Sequence, residues 1–272
     1  MTVQDVAVLN TLGTAYFKGV GRLIRALVLL FASGLATAET LTLVAENDWY
    51  PYAAERNGEA RGISVDIVRA AYAAVGVDVQ FKLMSYARCM ELLDLGEEVG
   101  CFNTPDDDAI RLAQLLPEHA LDINPAFIYT RADNVADTLS LAELGGKVVG
   151  IVNGYRYGNA FMQDPHILRE YSASDLQNLK KLSAGRLDYI VLYERVARYL
   201  IGQHGEELGI KIKPVTPIGE IAIFVSFSQH HPRSADAIKQ FDQGMKKLQE
   251  SGRYAAILHD WDRKLVFGVA TQ

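Results

Sequence analysis

The chain of 272 residues is 49% hydrophobic and 22% charged, with a formal net charge of −6 and two cysteines. That balance demands a buried core of one large domain or two small ones, and it excludes a disordered or collagen-like chain. An acidic sum argues against a nucleic-acid partner, whose phosphates need a basic face. Cys89 and Cys101 lack the paired spacing of a zinc site and are too few for a disulfide scaffold.

The first elements in chain order form an export segment. Arg22, Leu23, Ile24 and Arg25 precede an apolar run over 26–35, and Ala36-Thr37-Ala38 then supplies small residues at the positions a signal peptidase reads. This predicts a cleaved secretory signal over 1–38. The competing reading, a membrane anchor, is disfavoured because the apolar run is shorter than the ~20 residues that cross a bilayer. Residues 1–19 read as a start-site extension ahead of Val20. Cleavage after Ala38 leaves 24 basic and 32 acidic side chains, a net of −8. In an oxidising compartment Cys89 and Cys101 either pair or stay as two buried thiols; sequence leaves both readings open.

Strand and helix signals then alternate. Leu41, Leu43 and Ala45 open a strand, Ser64 is expected to cap a helix ending near Gly76, and Val77, Val79, Phe81 and Leu83 alternate with polar residues as a half-buried strand does. A helix over 85–95 and a strand over 99–103 follow, then an irregular stretch over 104–125 and an extended segment over 127–130. Two capping boxes, Ser140 with Glu143 and Ser174 with Gln177, mark helix starts. Apolar strands over 147–152 and 187–192 read as buried parallel strands, and 221–226 as a further buried strand. An amphipathic helix carries Ala237, Phe241, Met245 and Leu248, and a terminal helix carries Tyr254, Ile257 and Trp261. The class is α/β; one doubly wound sheet and two smaller sheets joined by crossing strands both fit.

The motifs resemble a known family. Asn47-Asp48-Trp49-Tyr50-Pro51-Tyr52, Gly62-Ile63-Ser64-Val65-Asp66, Tyr86-Ala87-Arg88-Cys89, Gly146-Lys147-Val148-Val149-Gly150, Gly185-Arg186-Leu187-Asp188 and the run from Glu250-Ser251-Gly252 to Trp261 occur in the order seen in periplasmic solute-binding proteins of the polar amino-acid class, family 3. The resemblance implies a two-lobed periplasmic-binding-protein-like fold, each lobe a mostly parallel sheet flanked by helices. It implies lobe 1 from 39–130 plus 223–272, lobe 2 from 131–222, and two hinge strands near Ile128 and Ile221. It also implies a small-molecule ligand trapped in the cleft, an inner-membrane ABC permease as partner, a monomer and a periplasmic location.

Candidate ligand contacts follow. Trp49, Tyr50 and Tyr52 stand past the carboxyl end of the first strand, where ligands of open α/β sheets lie, and one or more of them is expected to stack on the ligand. The resemblance adds Tyr86, Asn103 and Thr104, with Arg111 as a carboxylate clamp, although more residues separate Thr104 from Arg111 than in the family; a solvated Arg111 is the alternative. The turn Asn153-Gly154-Tyr155-Arg156-Tyr157-Gly158 offers backbone amides at Gly154 for an anion, with Tyr155, Arg156 and Tyr157 as contacts, one of which would otherwise pack under the following helix. Relatives place an aspartate after the strand ending at Leu192, whereas this chain has Tyr193 and Glu194, so a ligand other than an α-amino acid is also admissible.

No metal is expected: Asp106-Asp107-Asp108 reads as an acidic first turn, and His230, His231 and His259 lack partners at ligand spacing. No cofactor is expected either, since Gly150, Gly154 and Gly158 are spaced four apart and do not form a dinucleotide fingerprint. The chain lacks a nucleophile elbow, a paired-histidine metalloprotease helix and a phosphate loop, so it is expected to bind and not to catalyse. Two alternatives stand beside that reading. One is a dehydratase of cyclic acids on the same scaffold, with Glu194 as its acid/base; the other is a ligand-sensing partner of a membrane receptor.

Overall fold

The computed structural model describes residues 40–266. The expected signal segment lies outside them. The first strand, β1 (Thr40–Glu46), leads into a small antiparallel sheet of β2 (Asp48–Trp49), β3 (Ala53–Arg56) and β4 (Glu59–Arg61). Helix α1 (Ile63–Ala73) follows, then β5 (Asp78–Met84), α2 (Tyr86–Asp94) and β6 (Gly100–Pro105). The first helix begins one residue before Ser64, and its cap is Gly62, at φ 143°. A Cβ at Gly62 would lie 2.2 Å from the Tyr52 carbonyl oxygen, so this close approach of backbones admits glycine alone. Ser64 is therefore inside the helix and buried.

The stretch expected to be irregular contains α3 (Asp108–Ala113), β7 (Gln114–Leu115) and the start of β8 (Asp122–Arg131). Asp107 caps α3 by accepting a hydrogen bond from the Ile110 amide, the standard satisfaction of a free helix-start donor. A 3-10 turn at Leu141–Leu144 carries the Ser140/Glu143 capping box in full. Beyond it lie β9 (Val148–Val152), the one-turn helix α4 (Asn159–Gln163), β10 (Leu168–Ser172), α5 (Asp175–Ser183) and β11 (Tyr189–Tyr193). Ser174 caps α5 through the Gln177 amide, while the Gln177 side chain reaches back to the amide of Ala173. Helix α6 (Glu194–His204), the long strand β12 (Ile212–Ser228), α7 (Ser234–Glu250) and α8 (Arg253–Val266) complete the described chain.

The main sheet runs β10-β9-β11-β8-β12-β6-β1-β5, with β7 paired to β12. Both outer parts are parallel, β5-β1-β6 on one side and β10-β9-β11 on the other. They are joined by an antiparallel middle in which β8 and β12 pair over ten positions from Ile212↔Arg131 to Ile223↔Asp122, with two register shifts. The result is a mostly parallel sheet flanked by helices, as expected, in which two long neighbouring strands connect the halves.

On the first half α1 packs on α7 so tightly that a Cβ at Gly244 would fall 2.0 Å from the Ala71 carbonyl oxygen. The Tyr72 hydroxyl donates to the Ala237 carbonyl at 3.0 Å, and the Trp261 indole donates to Asp66 at 2.9 Å, tying α7 and α8 to α1. On the second half Leu179, Leu182, Val196, Ala197 and Leu200 cover the sheet from α5 and α6. Cys89 of α2 and Cys101 of β6 are joined as a disulfide, with Cα atoms 6.3 Å apart.

Candidate functional site

The carboxyl ends of β1 and β6 on one half face the loop after β9 and the end of β11 on the other. Between them is a narrow, partly open cavity lined by Glu46, Trp49, Tyr86, Asn103, Pro105, Tyr155, Arg156 and Tyr193, with room for about one water in this closely packed state. Its walls are aromatic rings set edge to face. Trp49 meets Tyr193 at 5.2 Å and 82°, and Tyr155 at 6.0 Å and 81°, while Tyr86 meets Tyr155 at 5.6 Å and 88°. Behind Trp49, Tyr52 stacks at 4.4 Å. Such rings offer both apolar area and the negative faces that attract a cation.

Asn103 is the most informative polar group here. It is 5% exposed, adopts a left-handed φ of 73°, and neither its amide oxygen nor its amide nitrogen has a hydrogen-bond partner. Leaving one buried polar atom unsatisfied costs about 1–3 kcal/mol, and such costs concentrate where a ligand later supplies the missing partner.

Carboxyls dominate the electrostatics. Burial pushes the Glu46 carboxyl up to about 8, against the hydrogen bond it accepts from the Tyr155 hydroxyl. Burial likewise pushes Asp175, the first residue of α5, up to about 7, reinforced by the charge of Asp48 and opposed by the nearby Trp49 indole. Asp48 is itself raised by burial, against Arg56 and His204. Among the described residues none of these three carboxyls forms an ion pair.

One ion pair and one hydrogen bond cross the cleft beside the cavity. Arg156 donates through Nε to Asp107, and Asn159 donates to Asp108 at 3.0 Å. A larger hollow of about 690 Å³ lies elsewhere, lined by Arg131, Asp133, Ile201, Glu206, Ile210 and Lys211. It is an open trough whose charged side chains are largely solvated, and it encloses no orphaned polar group.

Comparison with known proteins is consistent across the fold. The model of the bacterial extracellular solute-binding proteins, family 3, matches residues 41–264. The chain belongs to this family. A search of curated proteins finds no match. Solved structures similar to this solute-binding protein include an ancestral arginine-binding protein bound to arginine, at 20% identity and TM-score 0.69, covering 82% of this chain and 97% of that one. An amino acid ABC transporter substrate-binding protein from Streptococcus pneumoniae bound to L-arginine has 16% identity and TM-score 0.68, covering 81% and 93%. A histidine kinase sensor domain with similarity to periplasmic binding proteins has 22% identity and TM-score 0.70, covering 82% and 96%. At such identities the likeness shows the fold. No helix among the described residues is long and apolar enough to cross a membrane.

The solute-binding protein brings Trp49, Tyr86, Asn103, Tyr155, Arg156 and Tyr193 together around the cavity. Other residues expected there lie elsewhere. Tyr50 is half-buried on the outer side of Trp49 against Tyr199 and Trp261. Tyr52 is fully buried and donates to Asn124. Thr104 bonds Ser226 at 2.8 Å behind the wall, and Tyr157 packs on Phe161 of α4 with its hydroxyl on the Val152 amide.

Arg111 is exposed on α3 and paired with Asp106, outside the cavity, since the short helix buries its neighbour Ile110 and leaves the arginine toward solvent. Glu194 opens α6 with its side chain on Arg198, pointing away from the cavity that Tyr193 faces. Gly154, at φ 83°, does not open a helix: α4 starts five residues later and spans a single turn, too short for the anion-binding dipole expected of it. Sequence reasoning missed Glu46, Asp48 and Asp175. The available signal was an acidic residue closing the apolar strand 41–45 and another directly after the Ser174 cap.

Proposed function

We propose that this family member is a periplasmic binding protein that captures a small polar solute bearing a cationic group, an amino acid or a relative of one, and passes it to an ABC importer without transforming it. The observation that carries this reading is Asn103, whose amide is buried at both ends without a partner in a cavity walled by aromatic rings. Glu46, the carboxyl that lines the same cavity without an ion pair, supplies the preference for positive charge. The arginine bound in similar structures agrees with that preference, and the signal segment expected over 1–38 agrees with a periplasmic location.

In this reading the halves act as lobes, 39–130 plus 223–272 against 131–222, with β8 and β12 as the hinge. Closure gains the Tyr155–Glu46 and Arg156–Asp107 contacts together with those of the solute, and only contacts that differ between open and shut states shift the equilibrium.

The test is a thermal-shift screen of amino acids, organic acids and amines. Saturation at one hundred times Kd stabilises by about 2.7 kcal/mol, which raises the midpoint by several degrees. A cationic amino acid or amine is expected to raise it and to be recovered unchanged. Asn103→Ala is expected to weaken that solute more than about tenfold, a loss above about 1.4 kcal/mol, whereas Arg111→Ala leaves it in place. A protein that no solute stabilises, or that binds equally well without the Asn103 amide, defeats the proposal.

A further inference from the structure

Trp49 has a second face. It also forms one wall of a separate pocket of about 280 Å³, together with Asp48, Tyr50, Arg56, Asp175, Tyr199 and His204. We infer that this outer pocket is a second cation subsite, so that the solute carries an organic ammonium group on each side of Trp49. The inference rests on the proposed solute-binding reading and names the class of solute.

Asp175 is 7% exposed, lines this pocket and has no cation within ion-pair distance. The neighbouring Trp49 indole N–H, also buried, favours the charged carboxyl but makes no hydrogen bond of acceptable geometry. A buried donor without a partner of good geometry thus sits beside a carboxyl without a counterion. The position of Asp175 at the start of α5 stabilises its negative charge through the helix dipole, but that charge is still without a counterion.

Arg56 is the one guanidinium lining the pocket, and its direct partners are neutral groups. It lies over the Tyr50 ring at 4.8 Å from the centroid and donates to the Tyr199 hydroxyl at 2.9 Å and to the Glu55 carbonyl at 3.0 Å. His204 has its Nδ1 toward Glu207, at 3.8 Å. Asp48 and Asp175 thus share a polar, partly aromatic hollow with a single guanidinium, two carboxyls against one fixed positive charge. Glu46 makes the matching demand on the inner side: it accepts from Tyr155 and pairs with no cation. Carboxyls on both sides of one indole fit a ligand with two separated positive ends better than a ligand with one.

The experiment is calorimetric titration of the purified protein with aliphatic α,ω-diamines of increasing length and with the monoamine of each length, at fixed ionic strength. At the best length the diamine is expected to bind about tenfold or more tightly than its monoamine. Asp175→Asn is expected to bring that ratio toward one. Equal binding of diamine and monoamine by the wild-type protein overturns the inference whether or not the variant folds, as does a ratio that Asp175→Asn leaves unchanged. If solutes bind through Asn103 while the ratio is one, the outer subsite fails and the binding function stands; if no solute binds, both fall.

Discussion

The hydroxyl of Tyr155, in the loop after β9, donates to the buried carboxyl of Glu46 at the end of β1, so the two halves of the sheet are joined through the cavity itself. A cationic solute would compete with Tyr155 for this carboxyl. Glu46→Gln keeps the shape and still accepts from Tyr155 but removes the charge. It is expected to weaken a cationic solute about tenfold or more while raising the midpoint of the ligand-free protein at pH 8, as read by calorimetry and thermal melts.

The same burial makes ligand-free stability depend on pH. The folded-state values of Glu46, about 8, and Asp175, about 7, both exceed the ordinary values of 4.5 and 3.8, so the native state holds protons that the unfolded chain has released. Stability from these groups is therefore full below pH 4 and is lost as pH rises to about 8, at no more than about 1.4 kcal/mol per pH unit for each. Melts between pH 5 and 8.5 are expected to show a decline that is shallower in Glu46→Gln. A cationic solute prefers the ionised carboxyls, so its affinity rises over the same range, and its binding near pH 7 releases protons that buffers of different ionisation enthalpy will report.

Arg195, near the start of α6, donates to Asp122 at 2.6 Å and Asn124 at 3.1 Å on β8 and to Asp262 of α8 at 2.9 Å. It thereby connects a helix of one half with a terminal helix of the other through the shared strand. Asp122 is 7% exposed, and burial raises it even beside this arginine. Arg195→Met strands that carboxyl and is expected to cost roughly 3 kcal/mol, lowering the midpoint by several degrees. Adding Asp122→Asn should restore part of the loss; a double variant as unstable as the sum of the singles would show that the pair does not interact.

The disulfide holds α2, which carries Tyr86, to β6, which carries Asn103. Its ring spans a separation of 12 residues, for which restriction of the unfolded chain amounts to about 3 kcal/mol. Cys89→Ala with Cys101→Ala, or treatment with reductant, is expected to lower the midpoint accordingly and to weaken solute binding. Thiol titration of the unreduced protein should find neither cysteine free.

Where periodicity carries structure, the sequence was legible. Val79 and its alternating neighbours gave β5, the apolar run before Val152 gave β9, and Ser174 with Gln177 gave the start of α5. Local signals failed where tertiary contact decides: Ser64 looks like a cap until the Tyr52 carbonyl is found against Gly62, and α3 is too short to show a period. Part of the site was legible because aromatics past a strand end are conspicuous. Glu46 and Asp175 were not, because an acid closing a strand reads as a turn and an acid opening a helix reads as ordinary dipole compensation. The burial of Glu46 arises only when residues 46, 103, 155 and 193, far apart in the chain, meet, and Asp175 is covered where it meets residues 48, 49 and 199.

The ladder between β8 and β12 is interrupted between Pro214 and Thr216 and again between Pro217 and Gly219. Prolines cannot donate, so few backbone bonds must break or lengthen for these strands to bend here. If the halves act as the proposed lobes, opening of the cleft needs no melting of either flanking parallel array: flexure is expected to concentrate in this short stretch, so that the parts carrying Asn103 and Tyr193 separate as units.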